Sequence, residues 1–201
     1  MCSQYGVHLI ADEIAVGMGR TGTMFACERA DITPDFLLLS KGITGGYLPL
    51  SIVMTTDDIY QAFYADETAR GFLHSHSYTG NPLACRAALA TLDIFAQDDV
   101  LNANRVRARR LSTLLAPVAA HPQVRHFRQQ GMIWAFDVTI EDPAQAASFS
   151  RRFHALALER GLMLRPIGKT VYLMPPYILN DHEQTLLAEG VQSALSEALR
   201  T

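Results

Sequence analysis

The sequence lacks the features that mark secreted, membrane-spanning or nucleic-acid-binding proteins. Its three cysteines, Cys2, Cys27 and Cys85, are odd in number and have no CxxC spacing, which argues against a disulfide framework or a zinc site. Seventeen basic and twenty acidic side chains give a net charge of −3, so no basic surface for nucleic acid is expected. No apolar run reaches membrane-spanning length. We therefore expect a cytoplasmic protein with small-molecule ligands and no nucleic-acid or membrane partner.

The sequence does contain enough apolar residues for a sizeable core, since 49% of its 201 residues are apolar and 18% are charged. Apolar runs predict strands over residues 7–11, 35–40 and 50–55. The first should be a buried parallel strand that ends in the acidic pair Asp12-Glu13. A long helix is predicted from Pro82, capped by Asn81, to about residue 96.

The second half of the sequence alternates helices with pairs of strands. The predicted elements cover residues 100–118, 123–130, 132–139, 143–160, 162–165, 170–174 and 181–199. Asp181 and Gln184 stand at capping-box spacing at the start of the last helix. The expected fold class is α/β, with residues 1–98 as the carboxyl-terminal part of a large domain with a mostly parallel sheet. Residues 99–201 should form a small α+β domain.

The segment "LLLSKGITGGYLPL" places Lys41 between an apolar run and a glycine pair. A lysine at a strand end is often a surface residue whose amine extends into water. The alternative is a Schiff-base lysine, whose amine must be neutral and nucleophilic near pH 7. The neighbouring glycines favour the second interpretation because they leave space for a flat ligand.

Asp12 follows the first predicted strand and raises a similar choice. A carboxylate at the end of a buried strand is costly unless a cation or a hydrogen-bond donor accompanies it. A pyridinium nitrogen would be such a partner, whereas a helix cap or loop hydrogen bond is the simpler alternative.

Together these segments resemble a protein family. "LIADEIAVGMGRTG", followed by "SKGITGG" with Lys41 29 residues after Asp12, resembles the signature of class III pyridoxal-phosphate (PLP) aminotransferases of fold type I. The resemblance implies PLP as the cofactor. It also implies that Asp12 pairs with the pyridine nitrogen and that Lys41 carries the cofactor covalently. Arg20 would make structural contacts in the glycine-rich loop, although a solvated loop arginine remains the alternative.

The loop "HSHSYTGNP", residues 74–82, extends the resemblance. In the family, the equivalent loop reaches across a homodimer interface to the phosphate of the partner's cofactor. The resemblance implies cofactor contacts for His76 and Ser77, with Thr79 as a weaker candidate, and a substrate contact for Ser75. No metal site is expected, because His74 and His76 lack a nearby set of further ligands.

A narrower resemblance rests on "GGYLPLSIVMTT", "GNPLACRAALATLDIF" and "LMLRPIGKTVYLMPPY". These segments are similar to members of the family that transfer an amino group from S-adenosylmethionine to 8-amino-7-oxononanoate in biotin synthesis. Arg165 would then bind the substrate carboxylate, a role that its planar guanidinium fills well. Tyr172 would line the same site or belong to the core.

The resemblance covers nearly the whole chain but only the carboxyl-terminal half of the family. The chain also enters its first strand without a preceding turn, so we expect the natural fold to begin upstream. Three hypotheses stay open: this aminotransferase, represented by its carboxyl-terminal portion; a class III enzyme acting on ω-amino acids or related amines; and a truncated chain without turnover. A homodimer with shared active sites is implied for the first two.

Overall fold

The computed structural model describes residues 2–200, apart from the side chain of Ser3. The chain divides into two compact units, Met1–Leu101 and Asn102–Thr201. The assignment of residues 1–98 and 99–201 to two domains stays a prediction. Within the described residues, no helix combines the length and the apolar character that crossing a bilayer requires.

The first unit contains a three-stranded sheet in the order β1-β2-β3. The strands are β1 Ile10–Asp12, β2 Phe36–Leu39 and β3 Ile52–Thr55. Strand β1 runs parallel to β2 with Asp12 opposite Leu38, and β3 runs antiparallel to β2. The described sheet therefore has one parallel and one antiparallel pair.

The expectation that the first strand is buried was wrong. Ile10 is 60% exposed, and Asp12 is exposed as well. The reason is the position of β1 at the edge of the described sheet, where only β2 pairs with it. Leu39 of β2, by contrast, is buried.

Two helices follow the sheet, α1 Asp57–Phe63 and α2 Pro82–Gln97. As predicted, Asn81 caps α2, since its side chain accepts a hydrogen bond from the backbone N–H of Leu83 at 3.0 Å. Small residues on one side of α2 pack against the 3₁₀ turn Lys41–Thr44, and Ala88 shares a buried cluster with Ile43. Helix α2 thus supports the turn that begins at Lys41.

The second unit is an antiparallel sheet in the order β4-β5-β6 with four helices. Its elements are α3 Val100–Leu114, α4 Ala116–Ala119, β4 Val124–Gln130, β5 Ile133–Val138, α5 Pro143–Glu159, β6 Thr170–Leu173 and α6 Asp181–Ala198. Although α3 begins two residues before the division between the units, most of its residues belong to the second. One sheet face joins the helices in the core, which includes Trp134, Phe136, Val171 and Leu173.

Three expectations for the second unit need correction. The single helix predicted over 100–118 is two helices, because Pro117 cannot continue a helical hydrogen-bond ladder. The strand predicted over 162–165 has no strand partner among the described residues. The capping box of α6 is formed by Asn180 and Glu183, one residue before the predicted pair.

The face of the sheet opposite the core carries a charged network around Asp137. One carboxylate oxygen accepts from the Thr170 hydroxyl at 2.7 Å. The other lies 3.0 Å from Nδ1 of His126 and 3.3 Å from Nη1 of Arg128. Hydrogen bonds from Thr170 and His126, with a further contribution from Arg128, lower the pKa of Asp137 below its usual value of 3.8.

We expect Asp137→Asn to lower the midpoint of thermal unfolding more at pH 7 than at pH 3. A lowered pKa in the folded state stabilises the fold above the unfolded-state pKa, and this contribution is lost as the pH falls through the folded pKa. Calorimetry at both pH values measures the difference. Glu141→Gln, at an exposed acid, is the control, and equal shifts for D137N at both pH values would contradict the expectation.

Candidate active site

Asp12 and Lys41 lie at the carboxyl-terminal edge of the first unit's sheet, where two neighbouring parallel strands end. Asp12 is the last residue of β1 and is opposite Leu38 of β2. The pairing extends one step further, because the backbone N–H of Glu13 donates to the Leu38 carbonyl at 3.0 Å. Lys41 comes three residues after Leu38. Since paired strands are about 4.8 Å apart, their chain ends bring an acid and an amine to one region.

The carboxylate of Asp12 is exposed and partly fixed. Its Oδ1 accepts a hydrogen bond from the backbone N–H of Ile14 at 3.0 Å. Burial therefore does not demand a cationic partner for Asp12, contrary to the expectation from sequence. A carboxylate has four lone-pair sites on two oxygens, so Asp12 retains acceptor capacity for a ligand.

Lys41 is exposed and opens the 3₁₀ turn Lys41–Thr44 with a φ of +45°. This left-handed conformation is unfavourable for a lysine and persists only where the surrounding structure enforces it. The preceding Ser40 holds the turn in place, because its hydroxyl donates to the Leu50 carbonyl at 2.7 Å. The backbone turn therefore fixes the position from which the Lys41 side chain extends.

The loop "GMGRTG" packs tightly beside both residues, and two of its contacts require glycine. A Cβ on Gly17 would lie 2.8 Å from the Glu13 carbonyl oxygen. A Cβ on Gly42, directly after Lys41, would lie 2.9 Å from Cβ of Met18. The loop and the lysine turn are in van der Waals contact that a larger residue would disrupt. Arg20 is half-buried in this loop.

Glu13 has a role that the sequence interpretation missed. It is only 3% exposed, and its two carboxylate oxygens accept from the backbone N–H groups of Ala26 and Cys27 at 2.8 and 2.7 Å. Glu13 thereby holds the chain that leaves the glycine-rich loop. Alternation along a strand was the available signal, because neighbouring residues point to opposite faces.

The loop that carries Ser75, His76 and Ser77 is exposed throughout. Its contacts form a local turn: the backbone N–H of His76 donates to the Thr79 hydroxyl at 3.1 Å, and Nδ1 of His76 accepts from the Tyr78 N–H at 3.2 Å. The side chains of His76 and Thr79 therefore shape the turn, and Ser77 lies between them on the exposed side of the chain.

Arg165 and Tyr172 belong to the second unit. Arg165 is exposed and lies between α5 and β6, whereas Tyr172 is half-buried on β6 opposite Ala135 of β5. The alternation of β6 directs Val171 and Leu173 to the core and Tyr172 to the other face. Tyr172 is therefore not a core residue of the second unit. Among the described residues no group of three metal-ligating side chains occurs.

The chain is similar in sequence to known aminotransferases. The profile of the family described as "Aminotransferase class-III" matches residues 1–195. A Helicobacter pylori adenosylmethionine-8-amino-7-oxononanoate aminotransferase is 46% identical, over 98% of this chain and 46% of its own. The chain spans about half the length of the curated relatives that it matches.

Solved structures of two kinds share the fold. The crystal structure of an adenosylmethionine-8-amino-7-oxononanoate aminotransferase from Methanocaldococcus jannaschii has a TM-score of 0.89 and 34% identity, over 99% of this chain and 48% of its own. An (S)-enantioselective omega-transaminase from Thermomicrobium roseum also has a TM-score of 0.89, with 31% identity, over 99% and 45% of the two chains.

We expect Glu13→Gln to make Cys27 more reactive. Burial and the nearby Glu13 carboxylate raise the pKa of Cys27 above its usual value of 9.0, so removal of the charge increases the thiolate fraction. In a background with Cys2 and Cys85 changed to serine, alkylation by iodoacetamide at pH 8 should become about two- to tenfold faster. Glu67→Gln, at an exposed acid, should leave the rate unchanged. An unchanged rate in E13Q would contradict the expected influence of Glu13.

Proposed function

Because the chain belongs to the class-III aminotransferase family, we propose that it forms part of an enzyme of biotin synthesis. In this reaction an amino group passes from S-adenosylmethionine to 8-amino-7-oxononanoate and gives 7,8-diaminononanoate. The α/β fold class and the family resemblance inferred from the motifs are confirmed by the comparisons. The names of the curated relatives support this substrate pair. The observation that carries the proposal is the parallel pairing of β1 and β2, which brings Asp12 and Lys41 to one sheet edge.

The residues at this edge fit pyridoxal phosphate, the cofactor of the family. An exposed carboxylate with spare acceptor capacity suits a protonated ring nitrogen, and an exposed amine suits an aldehyde. Gly46 leaves open space after Lys41, since a Cβ there would meet no atom within 4 Å. When bound, the cofactor supplies an electron sink that stabilises negative charge on the substrate carbon.

The chain's own residues have separate tasks in this proposal. Asp12 accepts a hydrogen bond from the ring nitrogen and thereby holds the proton on that atom. The Nζ of Lys41 would accept the proton from the substrate carbon and later return one. Ser40, through its bond to the Leu50 carbonyl, keeps the start of the lysine turn in position.

The loop 74–82 is proposed to act across a homodimer interface. There His76 and Ser77 would contact the partner's cofactor phosphate, with Ser75 beside the substrate. Exposed aromatic side chains in the first unit support a covering partner. These residues are Tyr60, Phe63, Tyr64, Phe72 and Tyr78, each at least 47% exposed.

Arg165 is proposed to bind the substrate carboxylate, with Tyr172 lining the same site. Arg165 is exposed and has the planar donor geometry that carboxylates require. We further propose that the enzyme acts in the cytoplasm, which the free thiols Cys2, Cys27 and Cys85 favour.

The second candidate is an aminotransferase for ω-amino acids or related amines. The specific observation in its favour is the omega-transaminase structure, which matches this chain with the same TM-score as the adenosylmethionine-dependent one. Backbone similarity therefore does not discriminate between the two substrate classes, and we propose that side chains such as Arg165 and Tyr172 contribute to substrate selection.

We expect pyridoxal phosphate to become attached to Lys41 of the purified chain. The chain has only two lysines, Lys41 and Lys169, so each possible attachment site on a lysine can be removed separately. Reduction with borohydride after incubation should fix one cofactor per chain, located by peptide mass spectrometry at Lys41. Lys41→Ala should abolish the attachment, and Lys169→Ala should leave it intact. Attachment that persists in K41A, or that occurs mainly at Lys169, would contradict the cofactor assignment.

The amino donor distinguishes the two candidate enzymes. With 8-amino-7-oxononanoate as acceptor, we expect the loaded chain to use S-adenosylmethionine with a kcat/KM at least about tenfold above that for 4-aminobutyrate. Product formation is followed by mass spectrometry. The reverse preference would favour the ω-amine enzyme, and the absence of turnover with both donors would favour the non-catalytic fragment.

A further inference from the structure

The segment that carries Arg165 is held by two side chains of helix α5. Nδ1 of His154 lies 2.6 Å from the Leu164 carbonyl oxygen, and the Ser150 hydroxyl donates to the Pro166 carbonyl at 2.7 Å. The two accepting residues flank Arg165 directly. The two donors are four residues apart and therefore lie on the same face of α5.

These bonds take the place of a strand partner. Residues 162–166 belong to no strand, so the Leu164 and Pro166 carbonyls are not in a sheet ladder. In an extended segment, carbonyls two residues apart point the same way, and alternate side chains point to opposite sides. The burial pattern agrees, since Leu164 packs against the core and Pro166 is buried while Arg165 is exposed.

The two hydrogen bonds, from His154 and Ser150, fix both the position and the orientation of the segment. One hydrogen bond would fix a single point and leave the segment free to rotate about its own axis. Bonds on both sides of Arg165 also fix this rotation, and with it the side from which the guanidinium extends. The carbonyl of Leu164 can only accept, so Nδ1 of His154 must carry a proton.

We propose that Ser150 and His154 are positioning residues that direct Arg165 toward the carboxylate of the substrate and so set substrate affinity. This inference rests on the proposed function, because it takes Arg165 as the carboxylate-binding residue. In this proposal the two residues act only through Arg165 and do not touch the substrate themselves.

The experiment compares the binding of 8-amino-7-oxononanoate with that of its carboxamide, using the full chain loaded with pyridoxal phosphate and isothermal titration calorimetry. His154→Ala and Ser150→Ala should each raise the Kd of the carboxylate about three- to tenfold, the loss of one directing hydrogen bond. The Kd of the carboxamide should change little. His154→Asn, which retains a donor near the Nδ1 position, should restore most of the affinity.

Matched controls separate positioning from general damage to the helix. Ser148→Ala removes a hydroxyl of α5 that donates to Gln145 within the helix, and His182→Ala removes an exposed histidine of α6. Both should leave the Kd unchanged. Adding His154→Ala to Arg165→Ala should cause no further loss, because the positioned group is then absent.

A structural measurement stands apart from ligand binding. The backbone N–H of Ile167 donates to the Thr170 carbonyl at 2.9 Å, directly after the anchored segment. Its hydrogen exchange should be faster in H154A and S150A, and unchanged in S148A and H182A. Unchanged exchange in both anchor variants would overturn the proposed anchoring, whatever the chain binds.

The outcomes distinguish this inference from the proposed function. If Arg165→Ala weakens carboxylate binding while H154A and S150A do not, the positioning role is wrong and the role of Arg165 stands. If Arg165→Ala leaves carboxylate binding unchanged, or the loaded chain binds neither compound, the carboxylate role of Arg165 fails and the positioning proposal fails with it.

Discussion

The parallel pairing of β1 with β2 is the constraint on which the candidate site depends. Neighbouring parallel strands end at the same edge of a sheet. Backbone pairing alone therefore brings residues that are far apart in sequence into one region. The bond from the Glu13 N–H to the Leu38 carbonyl extends this pairing past Asp12. A shift of one residue would turn Asp12 to the other face of the sheet and put Glu13 in its place. The register of β1 against β2 therefore decides which acidic side chain lies beside the strand that leads to Lys41.

The fold was largely predictable from local sequence signals. Asn81 before Pro82 predicted the start of α2, and the strand predicted over 132–139 corresponds to β5, Ile133–Val138. What failed depended on tertiary context. The burial of β1 depends on how many neighbours the strand has. Where the sequence predicted strand pairing over 162–165, the Leu164 carbonyl instead lies within hydrogen-bond distance of a helix side chain, and the next carbonyl but one, of Pro166, accepts from another. The spacing of apolar residues within a segment predicts neither its burial nor its hydrogen-bond partners.

The candidate site was predictable where residue types carry chemistry. Asp12 and Lys41 could be selected because an acid and a lysine at this spacing resemble a family signature, and the structure places both at one edge. Glu13, Ser150 and His154 were not found, because their importance lies in backbone groups to which they bind. Any residue can supply a backbone N–H or, as here, a carbonyl, so the sequence does not name the partner, and strand alternation offered a signal only for the burial of Glu13.

The left-handed backbone of Lys41 has a consequence for the evolution of this protein. A non-glycine residue in this region destabilises the fold by roughly 1–3 kcal/mol, and glycine or asparagine would adopt the same φ at lower cost. Selection for thermal robustness alone would consequently tend to erase the lysine. A directed-evolution campaign that rewards only solubility or heat resistance would therefore tend to remove the amine on which the proposed function depends.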